Sequence, residues 1–216
     1  MNYFAHALPF LDNPYFVVGT SVPDMLAVVD RRARVRRKRL FSLQGDHDAK
    51  TAAIAAGILQ HLRDDAHFHQ TRSCAELSLQ FTVAIRQVLN EETGMRPNFL
   101  GHLMVELLLD ATLCMENPNS LERYYQIMRS VDPQVIENVV NRAVAKPTNR
   151  LAQMLLLTRQ ERFLYDYPDD EKLVRLNQIM RRVGLETLPE SICDVLPEFR
   201  TAVCCRKEEL IDGIPA

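Results

Sequence analysis

The sequence predicts an all-α protein, folded as a single-domain multi-helix bundle. Three observations carry that prediction. Only 7 of 216 residues are glycine, and Leu, Met, Arg, Glu and Gln, which lose little freedom in helices, are abundant. Apolar residues recur at i, i+3 and i+4 along most of the chain, and no stretch shows the period-two alternation of strands. A length of 216 residues fits one domain, and 47% hydrophobic with 25% charged residues excludes a disordered or fibrous chain.

The periodicity predicts helices over 20–37, 48–71, 73–92, 97–116, 118–130, 133–144, 148–165, 169–183 and 189–211. Gly19 and Pro23 place Asp24 in the first turn of the first of these, where a carboxylate meets the positive end of the helix dipole. The polar stretch QGDHD at 44–48 supplies Asp46 or Asp48 as N-cap for the alanine-rich second helix. Asp132-Pro133 is an N-cap followed by proline at the first helical position, and Pro147 and Pro189 repeat the proline part of that signal. Tyr124-Tyr125 and Tyr165-Asp166-Tyr167 are read as helix-edge packing, with a groove lining as the alternative.

Charge and cysteine usage set the expected surroundings. A net charge of −2 gives no field for indiscriminate nucleic-acid or membrane binding, so neither partner is expected. Seven of the 26 basic residues cluster in RRARVRRKR at 31–39, which is either a solvated helix end or a docking patch for an acidic or phosphorylated partner. Five cysteines without CxxC spacing suit a reducing compartment. The N-terminal MNYFAHALPFLDNPYF lacks a basic start and is interrupted by Pro9, Asp12 and Pro14, which is unlike a signal peptide. No uninterrupted apolar run reaches the roughly 18 residues of a spanning helix, so a soluble, cytoplasmic protein is expected.

Two helices carry the chemistry. Segment 99–115, FLGHLMVELLLDATLCM, is apolar on every side of the wheel, which predicts a central buried helix. Its only ionisable side chains besides Cys114 are His102, Glu106 and Asp110, spaced i, i+4, i+8 within an arc of roughly 80°. Carboxylates buried there need a positive partner. On the helix over 48–71, His61, Asp65 and His69 repeat the spacing, with Ile54, Ile58 and Leu62 on or beside the arc. Asp64 and His67 are assigned to the outer side. The two stripes together make a nitrogen and oxygen donor set suited to Mn²⁺, Fe²⁺, Zn²⁺ or Mg²⁺. Packed core histidines, with the carboxylates paired to Arg63, Arg72 or Arg150, are the plainer alternative. His6 in a short apolar stretch and Asp24 are candidates to complete the site. The Glu-x-x-His motif of ferritin-like di-iron proteins is absent from both helices, which disfavours a redox protein. G-x-S-x-G, P-loop and G-x-G-x-x-G motifs are absent too, and Cys114 reads as inert core.

With these residues in place, the chain resembles the acyl-carrier-protein phosphodiesterase family, whose helical fold is related to the HD-type metal-dependent phosphohydrolases. The matching pieces are MNYFAH at 1–6, VGTSVPD at 18–24, AGI at 56–58 leading to His61 and Asp65, and ELLLDATL at 106–113. A weaker similarity covers 162–182, RFLYDYPDDEKLVRLNQIMRR. Where the family has a second Asp four residues after the position of Asp65, this chain has His69, and His102 has no counterpart. The resemblance implies an HD-like hydrolase that releases 4′-phosphopantetheine from holo acyl carrier protein, or acts on a related phosphate ester. His61, Asp65 and Asp110 are then the expected ligands, joined by His6, Asp24 and His102, with Mn²⁺ as the first choice of ion. Glu106 or His69 is expected to move a proton, and Arg63 or an arginine of 31–39 to orient phosphate. An acidic carrier protein suits the basic segment. A non-catalytic helical interaction protein with a structural metal or salt-bridge site is the second reading, and a di-iron redox protein the third. The methionines and segment 199–210 fit a homodimer interface and core packing equally.

Overall fold

The computed structural model describes residues 1–89, 95–162, 164 and 169–213. The chain forms α1 (Tyr3–Ala7), a 3-10 turn (Leu8–Phe10), α2 (Pro14–Val29), α3 (Arg37–Gln44), α4 (Ala49–Phe68), α5 (Arg72–Leu89) and α6 (Met95–Glu116). There follow α7 (Pro118–Ser130), α8 (Pro133–Ala143), α9 (Leu151–Glu161), α10 (Asp169–Val183), a 3-10 segment (Glu190–Val195), α11 (Leu196–Cys205) and α12 (Lys207–Ile211). The all-α expectation holds: among the described residues the only β feature is an isolated bridge between Val35 and Val144.

Several boundaries differ from the sequence reading, each for a local reason. The helix expected over 20–37 begins earlier, because Asn13 caps the backbone of Phe16 and Pro14 occupies the first turn. Pro23 therefore lies inside α2, and Asp24 sits in its later turns instead of at a helix start. Residues 30–36 leave the helix to bridge Val144, so the basic segment is an exposed loop running into α3. The helix expected over 48–71 stops at Phe68, where the Thr71 hydroxyl takes the Phe68 carbonyl, leaving His69 in a turn. α9 ends at Arg162, whose φ of 44° is left-handed. Segment 189–211 is broken into three pieces; Pro197 has no N–H to continue a helix from the preceding 3-10 turn. Residues 90–92 of the helix expected over 73–92, and the Tyr165-Asp166-Tyr167 edge, lie outside the described residues.

Two compact units can be distinguished, Met1–Ala66 with Glu116–Leu164, and His67–Met115 with Tyr165–Ile214. In the first unit, Phe4 of α1 meets Tyr124 of α7 edge to face at 6.0 Å, and the Tyr124 hydroxyl lies 3.2 Å from Ser21 Oγ of α2. Tyr124 and Tyr125 are thus core residues. A close helix approach joins α2 to α4. A Cβ on Gly57 would lie 2.1 Å from the Phe16 carbonyl oxygen, and one on Gly19 would lie 2.5 Å from that of Ile54. Only glycine permits this crossing, which presses the backbone of Thr20 against the side-chain face of α4.

The second unit stacks Phe81 of α5 on Phe199 of α11, with ring centroids 4.0 Å apart. Gly101 does for α5 and α6 what Gly19 and Gly57 do in the first unit, since its Cβ would meet Ser78 O at 2.6 Å and Thr82 N at 2.8 Å. The close approach brings His102 beside Ser78 and Cys74. By length and composition, Arg96–Glu116 of α6 could cross a membrane, with mean hydropathy 1.3. About half of that window is buried inside the protein, less than the fully buried helix read from the sequence, because Phe99 and Met115 are exposed.

Candidate metal centre

The structure divides the His61, Asp65 and His69 stripe between two groups and leaves Asp110 of the other stripe out of both. In the first unit His6, His61 and Asp65 offer ligand atoms that all lie within 4.8 Å of one another. α1 delivers His6, and α4 delivers His61 and Asp65. The His61 Nδ1–H donates to the Thr20 carbonyl at 2.7 Å; because a carbonyl only accepts, this places a proton on Nδ1 and turns Nε2 toward Asp65. His6 Nδ1 lies 3.2 Å from Asp64 Oδ2, and the Gln60 amide donates to the other Asp64 oxygen at 2.7 Å. The two rings lie 4.0 Å apart, tilted by 30°.

Both Nε2 atoms converge on one carboxylate, with His6 3.2 Å from Asp65 Oδ1 and His61 3.3 Å from Oδ2. The buried His6 Nε2 has no hydrogen bond there. Asp24 Oδ1 stands 3.8 Å from His61 Nε2, and the Met1 ammonium donates to Asp65 at 3.0 Å. Burial alone would raise the Asp65 pKa, but the His6 and His61 imidazoles and the Met1 ammonium hold it far below the usual carboxylate range. For His6, burial works against the charged form and Asp64 and Asp65 outweigh it, so the net shift is upward. A cation between the rings and Asp65 satisfies the orphaned Nε2 and the ionised carboxylate together, so these residues fit a divalent metal. The outer hydrogen bonds to Thr20 and Asp64 are the kind that orient metal-binding imidazoles.

Asp64 was misplaced by the helical wheel. It is buried, not outward, because it lies roughly 60° to one side of His61 while Asp65 lies roughly 40° to the other. The i, i+4, i+8 spacing attends to one flank only; the i, i+3 relation of His61 to Asp64 is the signal that finds it. Arg63 is exposed and donates to Gln60 at 2.5 Å, so it steadies the Gln60–Asp64–His6 chain. Asp110 is buried on α6 in the second unit and belongs to neither ligand group.

The second group lies wholly in the second unit. Glu106 Oε1 is 3.3 Å from His69 Nε2 and 3.3 Å from His102 Nε2, and the two nitrogens are 3.2 Å apart. The Cys74 sulfur and the Glu106 carboxylate hold His102 up at about 10. Burial pushes Glu106 up, but His102 and His69 outweigh it and leave it at about 2. Glu106 and His69, expected to serve the same centre as His61, are thus gathered with His102.

The pH dependence of this group follows by linkage in protein stripped of divalent ions. The raised His102 contributes stability fully below its ordinary 6.5, and that contribution is lost as pH climbs through about 10. The depressed Glu106 contributes fully above its ordinary 4.5, and that is lost as pH falls through about 2. The gap in melting temperature between the protein and Glu106→Gln is therefore widest between pH 4.5 and 6.5. A gap that stays constant from pH 2 to 10 would refute the pairing.

Compared with models of known families, with characterised proteins and with solved structures, the chain finds no match.

Proposed function

We propose that the chain is a cytoplasmic, HD-like, metal-dependent phosphohydrolase that cleaves a phosphate ester. The sequence resemblance makes holo acyl carrier protein the first substrate to test. The observation that carries this reading is the pair of buried imidazoles in the first unit, each anchored through Nδ1 and each turning Nε2 onto Asp65. His6, His61 and Asp65 would hold the ion, with Mn²⁺ first and Fe²⁺, Zn²⁺ or Mg²⁺ as substitutes. When bound, such an ion lowers the pKa of water and stabilises charge on phosphoryl oxygens.

The chain's own residues do the remaining work. Thr20 keeps His61 in the tautomer that presents a lone pair, and Asp64, itself held by Gln60, does the same for His6. Asp24 is the carboxylate at the edge of this cluster, 3.8 Å from His61 Nε2, and would take the proton from a water held there. The basic segment exposes its arginines along 31–39 and suits an acidic carrier protein.

The test is elemental analysis of protein purified without chelator, followed by hydrolysis of bis(p-nitrophenyl) phosphate and of holo acyl carrier protein. The expected result is a bound divalent ion and turnover that chelator abolishes and Mn²⁺ restores. Absence of hydrolysis of either substrate after reconstitution with each of the four ions would overturn the reading.

A further inference from the structure

We propose that His69, His102 and Glu106 form a zinc-class site with one open coordination position, built entirely from the second unit. The triangle of ligand atoms measures 3.2, 3.3 and 3.3 Å on its sides. Zinc with nitrogen and oxygen bonds of about 2.0–2.1 Å needs tetrahedral ligand edges of about 3.3–3.4 Å. An octahedral face around an ion with bonds of about 2.1 Å has shorter edges, about 3.0 Å. The sides accommodate the four-coordinate ion.

Proton bookkeeping points the same way. Two Nε2 atoms 3.2 Å apart leave room for one hydrogen between them, and both also face the same Glu106 oxygen. A cation just above the plane of the triangle satisfies all three atoms at once. His102 Nδ1 lies 3.4 Å from Ser78 Oγ, an outer partner on the side away from the triangle. His102 and Glu106 are i, i+4 on α6, so a single helix face supplies two ligands, and the turn after α4 supplies the third. The His69 side chain is 43% exposed and that of His102 is 40% exposed. Solvent therefore reaches the site, which leaves the fourth position to water or to an anionic oxygen, as in catalytic zinc centres.

The experiment uses the full chain carrying Asp65→Ala, which removes the ion of the first unit, stripped with chelator and titrated with Co²⁺ and then Zn²⁺. Co²⁺ is expected to give the intense visible bands of a four-coordinate ion, and Zn²⁺ to displace it. His69→Ala, His102→Ala and the isosteric Glu106→Gln are expected to lose those bands, and far-UV circular dichroism separates this from loss of fold. Their Zn²⁺ affinity falls by more than the roughly 10–100-fold that loss of an outer partner costs. Without the second-unit substitutions the Asp65→Ala chain keeps the bands and one ion, so the two centres fail separately. Retention of the bands and of Zn²⁺ affinity in His102→Ala and His69→Ala would overturn the proposal, as would a pale six-coordinate spectrum.

Discussion

Asp65→Ala is expected to abolish phosphate-ester hydrolysis, with a loss of about 10²–10³-fold or more, comparable to removing a group that stabilises developing charge. Asp65 is the one carboxylate on which both Nε2 atoms of the first unit converge, and without it the two imidazoles lose the anion they share. The metal content of the first unit should fall with the activity. Stability changes too. The Asp65 carboxyl lies far below its ordinary value, so its ionised form contributes stability above pH 3.8 that is lost as pH falls. The alanine variant therefore melts earlier than the parent at neutral pH, and the difference closes in strong acid. Asp64→Asn is the graded comparison, because Asp64 reaches His6 only from the outside and should cost roughly 10–100-fold. Asp46→Ala, which removes an ion pair to Arg142 at 2.7 Å, is expected to leave turnover unchanged. Equal activity in Asp65→Ala and the parent would refute the assignment of this cluster.

Much of the fold was legible because its signals are local. Asp132 before Pro133, and the scarcity of glycine, act within a few residues and need no tertiary information. Helix ends were less legible where the deciding partner is distant in sequence. Residues 30–36 leave α2 because they bridge to Val144, more than a hundred positions away, and nothing near Arg31 announces that. The site shows the same division. Spacing identified His61, Asp65, His69, His102 and Glu106 as polar groups on apolar helices. It could not sort them, since a stripe at i, i+4, i+8 turns through roughly 80° and its two ends meet different neighbours. His69 escapes the stripe further because α4 stops one residue before it. The ligand-orienting groups were hidden for another reason. A main-chain carbonyl such as that of Thr20 has no sequence signature at all, although the glycines that let it approach do.

Those glycines give the second large effect: Gly57→Ala should destabilise the first unit by about 1–3 kcal/mol or more, the usual range for overpacking a rigid contact. The added methyl would meet the Phe16 carbonyl oxygen at 2.1 Å and the Gly19 Cα at 3.0 Å. Both obstacles are backbone, so no side-chain rotation relieves them and α2 must move off α4. The hydrogen bond from His61 Nδ1 to the Thr20 carbonyl spans that crossing at 2.7 Å, and it lengthens or breaks when the helices separate. The imidazole then loses the partner that fixes its tautomer, so metal affinity falls along with melting temperature even though no ligand has been changed. Gly45→Ala provides the contrast, because the nearest atom to its added carbon is 3.9 Å away and neither property should shift. Thermal melts and metal titrations of the two variants separate the causes. A Gly57→Ala protein that melts early yet keeps full affinity would show that Thr20 does not govern His61, and would leave the two imidazoles oriented by Asp64 and Asp65 alone.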